Sequence, residues 1–117
     1  TDMLDIPDGV EVYEIDGPFF FGLASRFEEL EQMKKPGTKV RIIRMRKVPF
    51  IDSTGINNLR NLCERTHKRG VTVILSGVTE KVHQSLVKFG VDLELGKDCI
   101  YPHIVPALEK ARELVKK

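Results

Sequence analysis

Apolar and polar residues change their rhythm several times along the chain, and each change marks an element. Over residues 10–15 they alternate, with Val10 and Val12 on one face and Glu11 and Tyr13 on the other, which predicts a strand. Leu23, Phe27, Leu30 and Met33 or Lys34 then recur at helical spacing, and Pro36-Gly37 stops the helix they predict. Residues 40–45 read as the next strand. From Ser53 or Thr54 to Arg69, the residues Ile56, Leu59, Leu62, Cys63 and Thr66 fall on one helical stripe. Gly70 follows where a left-handed residue closes a helix. Residues 71–75 are almost wholly apolar, as a central strand requires. Val82, Leu86 and Phe89 line a further helix, closed by Gly90. A short strand over residues 91–95 and a final helix over residues 106–115 complete the pattern. Pro106 has no N–H to donate, so the regular part of that helix should begin near it.

From the second strand onward the order is strand, helix, strand, helix, strand. Right-handed crossovers make such strands parallel and place their helices on one side. The first strand lies outside that unit and predicts a mixed sheet. The expected fold is therefore a small single α/β domain, with a mixed, mostly parallel sheet and helices mainly on one side. At 117 residues the chain forms one domain with one core, without repeats or low-complexity segments. It starts at Thr1, which suggests a piece of a longer protein or a processed product.

The most informative stretch is Pro49-Phe50-Ile51-Asp52-Ser53-Thr54-Gly55-Ile56-Asn57. An apolar run ends in an acid, two hydroxyls and a glycine, and an amphipathic helix then begins. Asp52, Ser53 and Thr54 thus stand at a helix opening, where backbone N–H groups lack partners and the dipole favours negative charge. A side chain there can cap the helix, accept a phosphoryl group or help hold an anion. Gly55 suits a close helix–sheet approach or a positive φ. Arg46 and Lys47 lead directly into the turn and are placed to assist an anion or an acidic partner. Arg41 and Arg44, further back on the same strand, read as a solvated edge. Phe19, Phe20 and Phe21 cannot all face one core, so one is expected inside and another free to dock on a partner.

Other chemistry is hard to assemble. No Gly-rich phosphate loop with its lysine is present, and the turn at Ser53 lacks the Gly-x-Ser-x-Gly pattern of serine hydrolases. His67, His83 and His103 fall on different predicted helices and read as surface residues. Cys63 and Cys99 have no metal-ligand spacing and read as reduced, structural thiols. The expectation is a non-enzyme with no metal and no cofactor. A net charge of +2 is too small to argue for nucleic acid. Charges interrupt every apolar run well short of the ~20 residues of a membrane span.

Val48-Pro49-Phe50-Ile51 followed by Asp52-Ser53-Thr54-Gly55 resembles the characteristic turn of STAS domains. The segment from Val12-Tyr13-Glu14-Ile15-Asp16-Gly17-Pro18 through Phe19-Phe20-Phe21-Gly22 is similar to the opening of the STAS tails of SulP-type anion transporters. Leu75-Ser76-Gly77-Val78 and Ile100-Tyr101-Pro102-His103-Ile104, with Ala107-Leu108-Glu109 and Ala111, resemble their strand end and closing helix. The resemblance implies that residues 1–117 are one STAS domain, the cytoplasmic carboxyl-terminal part of a membrane transporter in a bacterial inner membrane. It implies regulation and assembly for an inorganic anion, sulfate class, transporter. Its partners would be the transmembrane domain of the same chain and a second copy. The alternatives are a free-standing anti-sigma-factor antagonist phosphorylated at Thr54, and a ligand-sensing module that binds a small anion, a nucleotide, a lipid or acyl carrier protein. In the transporter reading the site residues are Thr54 and Ser53 as phospho-acceptors, Asp52, Gly55, Arg46 and Lys47 as turn and anion site, and Phe19, Phe20 and Phe21 for docking.

Overall fold

The computed structural model describes residues 6–16 and 37–116. The helix expected from Leu23 to Lys34 and the Phe19, Phe20 and Phe21 segment lie outside the described residues. Within them the order is β1 (Val10–Asp16), β2 (Val40–Lys47), α1 (Ser53–Lys68), β3 (Thr72–Ser76), α2 (Glu80–Lys88), α3 (Val91–Leu95), a 3₁₀ turn (Lys97–Cys99) and α4 (Ile104–Val115).

The strands lie in the order β1-β2-β3, and β2 is parallel to both neighbours, with Val10 opposite Val40 and Ile42 opposite Ile74. The described sheet is thus parallel, not mixed. The connection between β1 and β2 is long enough for a crossover, which brings the chain back to the same end of the sheet. Strand pleating then sorts the side chains. Ile15, Ile43, Met45, Val73 and Leu75 face Ile56, Leu59 and Leu62 of α1, Val82 and Leu86 of α2, and Val91 of α3. Val10, Val40, Ile42 and Ile74 face Ala107, Leu108 and Ala111 of α4. Among the described residues, three helices cover one face and one covers the other. That double coverage accounts for the unbroken apolar run in β3.

Residues 91–95 form a helix, not the expected strand. In a strand Val91, Leu93 and Leu95 would share one face. Instead Val91 is buried, Leu95 packs against the core, and Leu93 is 75% exposed, the arrangement of i and i+4 on one side of a helix. Gly90, at φ +76°, ends α2 and starts this new turn. Phe89 is just past the end of α2 and 39% exposed, with the Lys88 ammonium 5.8 Å from its ring centroid. The final helix begins at Ile104, two residues before Pro106, which sits in the first turn where its missing N–H has no helical partner to lose.

One close approach was not foreseen. Gly77 leaves β3 at φ +65°, and a Cβ there would lie 2.7 Å from the backbone nitrogen of Arg46 and 2.9 Å from its Cα. The end of β3 therefore lies directly against the end of β2. Gly70 also has a positive φ, +78°, but open space around it. Gly77→Ala is expected to cost about 2–4 kcal/mol through strain and overlap with backbone, and Gly70→Ala about 1 kcal/mol through strain alone. Urea unfolding of the two variants checks this; equal losses would show that the Arg46 contact yields freely.

Candidate functional site

Arg46, Lys47 and the turn from Asp52 to Gly55 lie at or just beyond the carboxyl end of β2, the side where open α/β sheets place their binding sites. After β2, Val48 turns inward and donates its N–H to the Met45 carbonyl at 3.0 Å. Val48 and Ile51 are buried, while Pro49 and Phe50 between them are exposed. Phe50 keeps 41% of its surface accessible, and the Lys81 ammonium of α2 stands 6.0 Å from its ring centroid. Phe50 belongs to an apolar run in the sequence, yet with Pro49 it forms an exposed pair between the buried Val48 and Ile51.

Asp52 is the N-cap of α1. Its Oδ1 accepts from the Gly55 N–H at 2.8 Å, and its carbonyl accepts the first helical bond, from the Ile56 N–H at 2.8 Å. The acid, not a hydroxyl, caps the helix. Ser53 and Thr54 follow in the first turn with exposed side chains. Gly55 is buried and helical, so the positive φ considered for it is not adopted. The last turn carries Arg65, His67 and Lys68, which complement the dipole at the opposite end.

Arg46 and Lys47 meet the carboxylate of Glu14 from β1. The Arg46 Nε donates to Oε1, and the Lys47 Nζ is 3.7 Å from Oε2. The Arg46 hydrogen bond, aided by the charges of Arg46, Lys47 and Arg44, holds the Glu14 carboxyl below its ordinary range. The two cations expected to serve an anion thus also serve to tie β1 to β2. Arg41, read as part of a solvated edge, is 3% exposed. β2 is the central strand, and Arg41 points to the same face as Ile43 and Met45. Its Nη2 is 3.5 Å from Glu11 Oε2 and its guanidinium lies 5.3 Å from the Tyr13 ring centroid. The same carboxylate accepts from the Tyr13 hydroxyl and the Thr38 hydroxyl, both at 2.8 Å. Burial, followed by the bond to Glu11, raises the Tyr13 pKa.

Beyond β3 the chain returns as a single parallel bridge, Leu75 to Ile100. The Tyr101 N–H donates to the Leu75 carbonyl at 2.9 Å, and the Val78 N–H donates to the Tyr101 carbonyl at 3.2 Å. A cleft of about 330 Å³ opens there, lined by Val78, Glu80, His83, Ile100, Tyr101 and Pro102. His67, His83 and His103 are all exposed, on α1, on α2 and just before α4. Among the described residues no group of three or more His, Cys, Asp or Glu is arranged to hold a metal ion. No helix among them is long and apolar enough to cross a membrane. Both cysteines are free. The Cys63 thiol is pushed up to about 12 by burial, the state of a packed side chain and not of a nucleophile.

Residues 3–111 match the family model of the STAS domain. Over 97 residues, 80% of this chain, the sequence is 31% identical to the proposed sulfate transporter YvdB of Bacillus subtilis (strain 168). The chain spans only 18% of that relative's length. A sulfate transporter family protein from Wolinella succinogenes has a similar structure, at a TM-score of 0.91 and 42% identity, covering 97% of this chain and 93% of that one. The STAS domain of a SulP transporter from Vibrio cholerae follows at 0.85 and 36%, covering 96% and 88%. A proposed anti-sigma factor antagonist from Thermotoga maritima shares the fold at a TM-score of 0.75 and 22% identity, over 92% of each chain. With its parallel sheet, its capped turn and these relatives, the chain belongs to the STAS domain family, in likeness to the domains of sulfate transporters.

Proposed function

We propose that this domain is the cytoplasmic regulatory and assembly module of a SulP-type inorganic anion transporter, of the sulfate class. The anion pathway would lie in a membrane part of the same polypeptide, and the domain would act by protein contacts, including a homodimer of the full transporter. The observation that carries the reading is the likeness, along nearly the whole chain, to STAS domains of sulfate-transporter proteins. The surface around the turn supports it: Pro49 and Phe50 offer an exposed apolar contact, and Ser53 and Thr54 stand beside it in solvent. The Phe19, Phe20 and Phe21 segment is a further docking element in this reading.

A second reading, the phosphorylation switch, draws on the exposure of Thr54 immediately before Gly55. A phosphate there would meet the positive end of α1, yet Asp52 already occupies the Gly55 N–H and repels a second anion. The switch would therefore act by forcing a choice between cap and phosphate. A weak anion site at Asp52 to Gly55 with Arg46 or Lys47 is subject to the same competition, and Glu14 adds to it.

Thr54→Glu in the full-length transporter is expected to keep the domain's melting temperature within about 3 °C and to change anion uptake in reconstituted vesicles. Identical uptake would remove the turn from regulation. Phe50→Ser should leave domain stability nearly unchanged and weaken assembly of the full-length protein; a variant that assembles normally would place docking elsewhere. Glu14→Gln loosens the hold on Arg46 and Lys47, so sulfate titrated against the domain should shift the amide signals of residues 52–55 more than in the wild type. It should also flatten acid lability. Because the folded Glu14 pKa is lowered, its stabilisation is present above the ordinary glutamate range and is lost as pH falls through the lowered value. Matching acid-unfolding curves for variant and wild type would show that the Glu14 tie contributes nothing.

A further inference from the structure

We propose that α3 is a hinged lid over the Cys63 side of α1, held shut by the Arg60 side chain. The first support is the pair of hinges. The helix is five residues long, and glycines flank it on both sides, Gly90 at φ +76° and Gly96 at φ +95° and ψ 141°. Open space surrounds both, since a Cβ at either would meet nothing within 4 Å. These backbone shapes are thus set by the turns and not by packing, and they suit glycine alone.

The second support is the latch. Arg60 projects from α1, and its Nε pairs with Glu94 Oε2 at 2.9 Å while its Nη2 donates to the Phe89 carbonyl at 2.6 Å. Phe89 directly precedes Gly90, and Glu94 is two residues before Gly96. One guanidinium therefore reaches both ends of the segment between the hinges. Its planar fork allows two bonds without rearrangement.

The third support is what lies beneath. Val91 and Leu95 turn inward, Leu93 outward, and a cavity of about 190 Å³ remains between α1 and α3, with Cys63, His67 and Leu95 among its walls. Cys63 is 6% exposed. It is shielded at this place by a single helical turn, and no strand has to separate for that turn to swing away. In the open form the thiol and the cavity face solvent. The burial that suppresses the thiolate in the closed form is then gone, so the open form is also the reactive one.

Labelling of Cys63 by N-ethylmaleimide, located by peptide mass spectrometry over a urea series, tests the lid. In the wild type the expected rate is slow and nearly independent of urea at low concentrations, as local opening exposes little surface. Arg60→Met keeps the apolar stem but loses both contacts, and should raise the rate by roughly 2- to 5-fold, the worth of a partly exposed ion pair. Glu94→Gln retains the Phe89 contact and should raise it less. Unchanged rates in both variants would overturn the lid. So would wild-type labelling with the same urea slope as amide exchange in β2 and β3, since the thiol would then be reached only by global unfolding. Should Arg60→Met fail to fold, Glu94→Gln decides alone, and no increase there overturns the proposal.

Discussion

Everything at this end of the molecule follows from burying β2 on both faces. Val40, Ile42, Ile43 and Met45 are each at most 1% exposed, so apart from the half-buried Arg44 the central strand is sealed until Arg46. A charge placed earlier needs partners, and Arg41 finds them in Glu11 and Tyr13 of β1, with the Thr38 hydroxyl donating to Glu11. Removing Glu11 from that group would leave a buried cation uncompensated, a far larger penalty than the pair's net contribution to stability. The cluster is therefore better understood as fixing the register of β1 against β2 than as a source of stability.

The same burial sets the geometry of the turn. Because β2 ends at the carboxyl edge of the sheet, the chain must rise out of the core and re-enter it within a few residues. Val48 and Ile51 anchor that path on the inside, and Pro49 and Phe50 between them are left outside where the chain turns. Gly77 closes the edge from the other side by letting β3's exit lie against Arg46. The position of Arg46 is thus fixed by backbone contact at one side and by Glu14 at the other. Next to that fixed position Asp52 caps α1, and Ser53 and Thr54 present exposed hydroxyls in its first turn.

Elements whose pattern depends on neighbours in sequence were legible. The α1 stripe of Ile56, Leu59, Leu62, Cys63 and Thr66 is buried as its spacing implied, and Gly70 takes the left-handed conformation expected of it. What depends on distant neighbours was not legible. The direction of β1 depends on how a long connection returns, which periodicity does not encode. Arg41 looked solvated because its local sequence is basic; its burial depends on β2 being central. Residues 91–95 are too short for periodicity to separate strand from helix, and Gly90 decided the matter by restarting the helix. At the site, Asp52 as cap was readable from its place before the helix. The engagement of Arg46 and Lys47 by Glu14 was not, because that partner lies on another strand.

These facts constrain how the turn can signal. The positive end of α1 has one strongly placed acceptor, the Asp52 carboxylate, and it is already bonded to Gly55. Any new negative charge at Ser53 or Thr54 competes for the same N–H groups and carries a repulsion that Asp52 cannot escape without uncapping the helix. Uncapping loosens the first turn, and with it Ile56, which is packed in the core against β2. In the proposed switch, charge at the turn would be converted into a change of surface shape beside Phe50. A module that works by presenting one surface or another requires this much and no more.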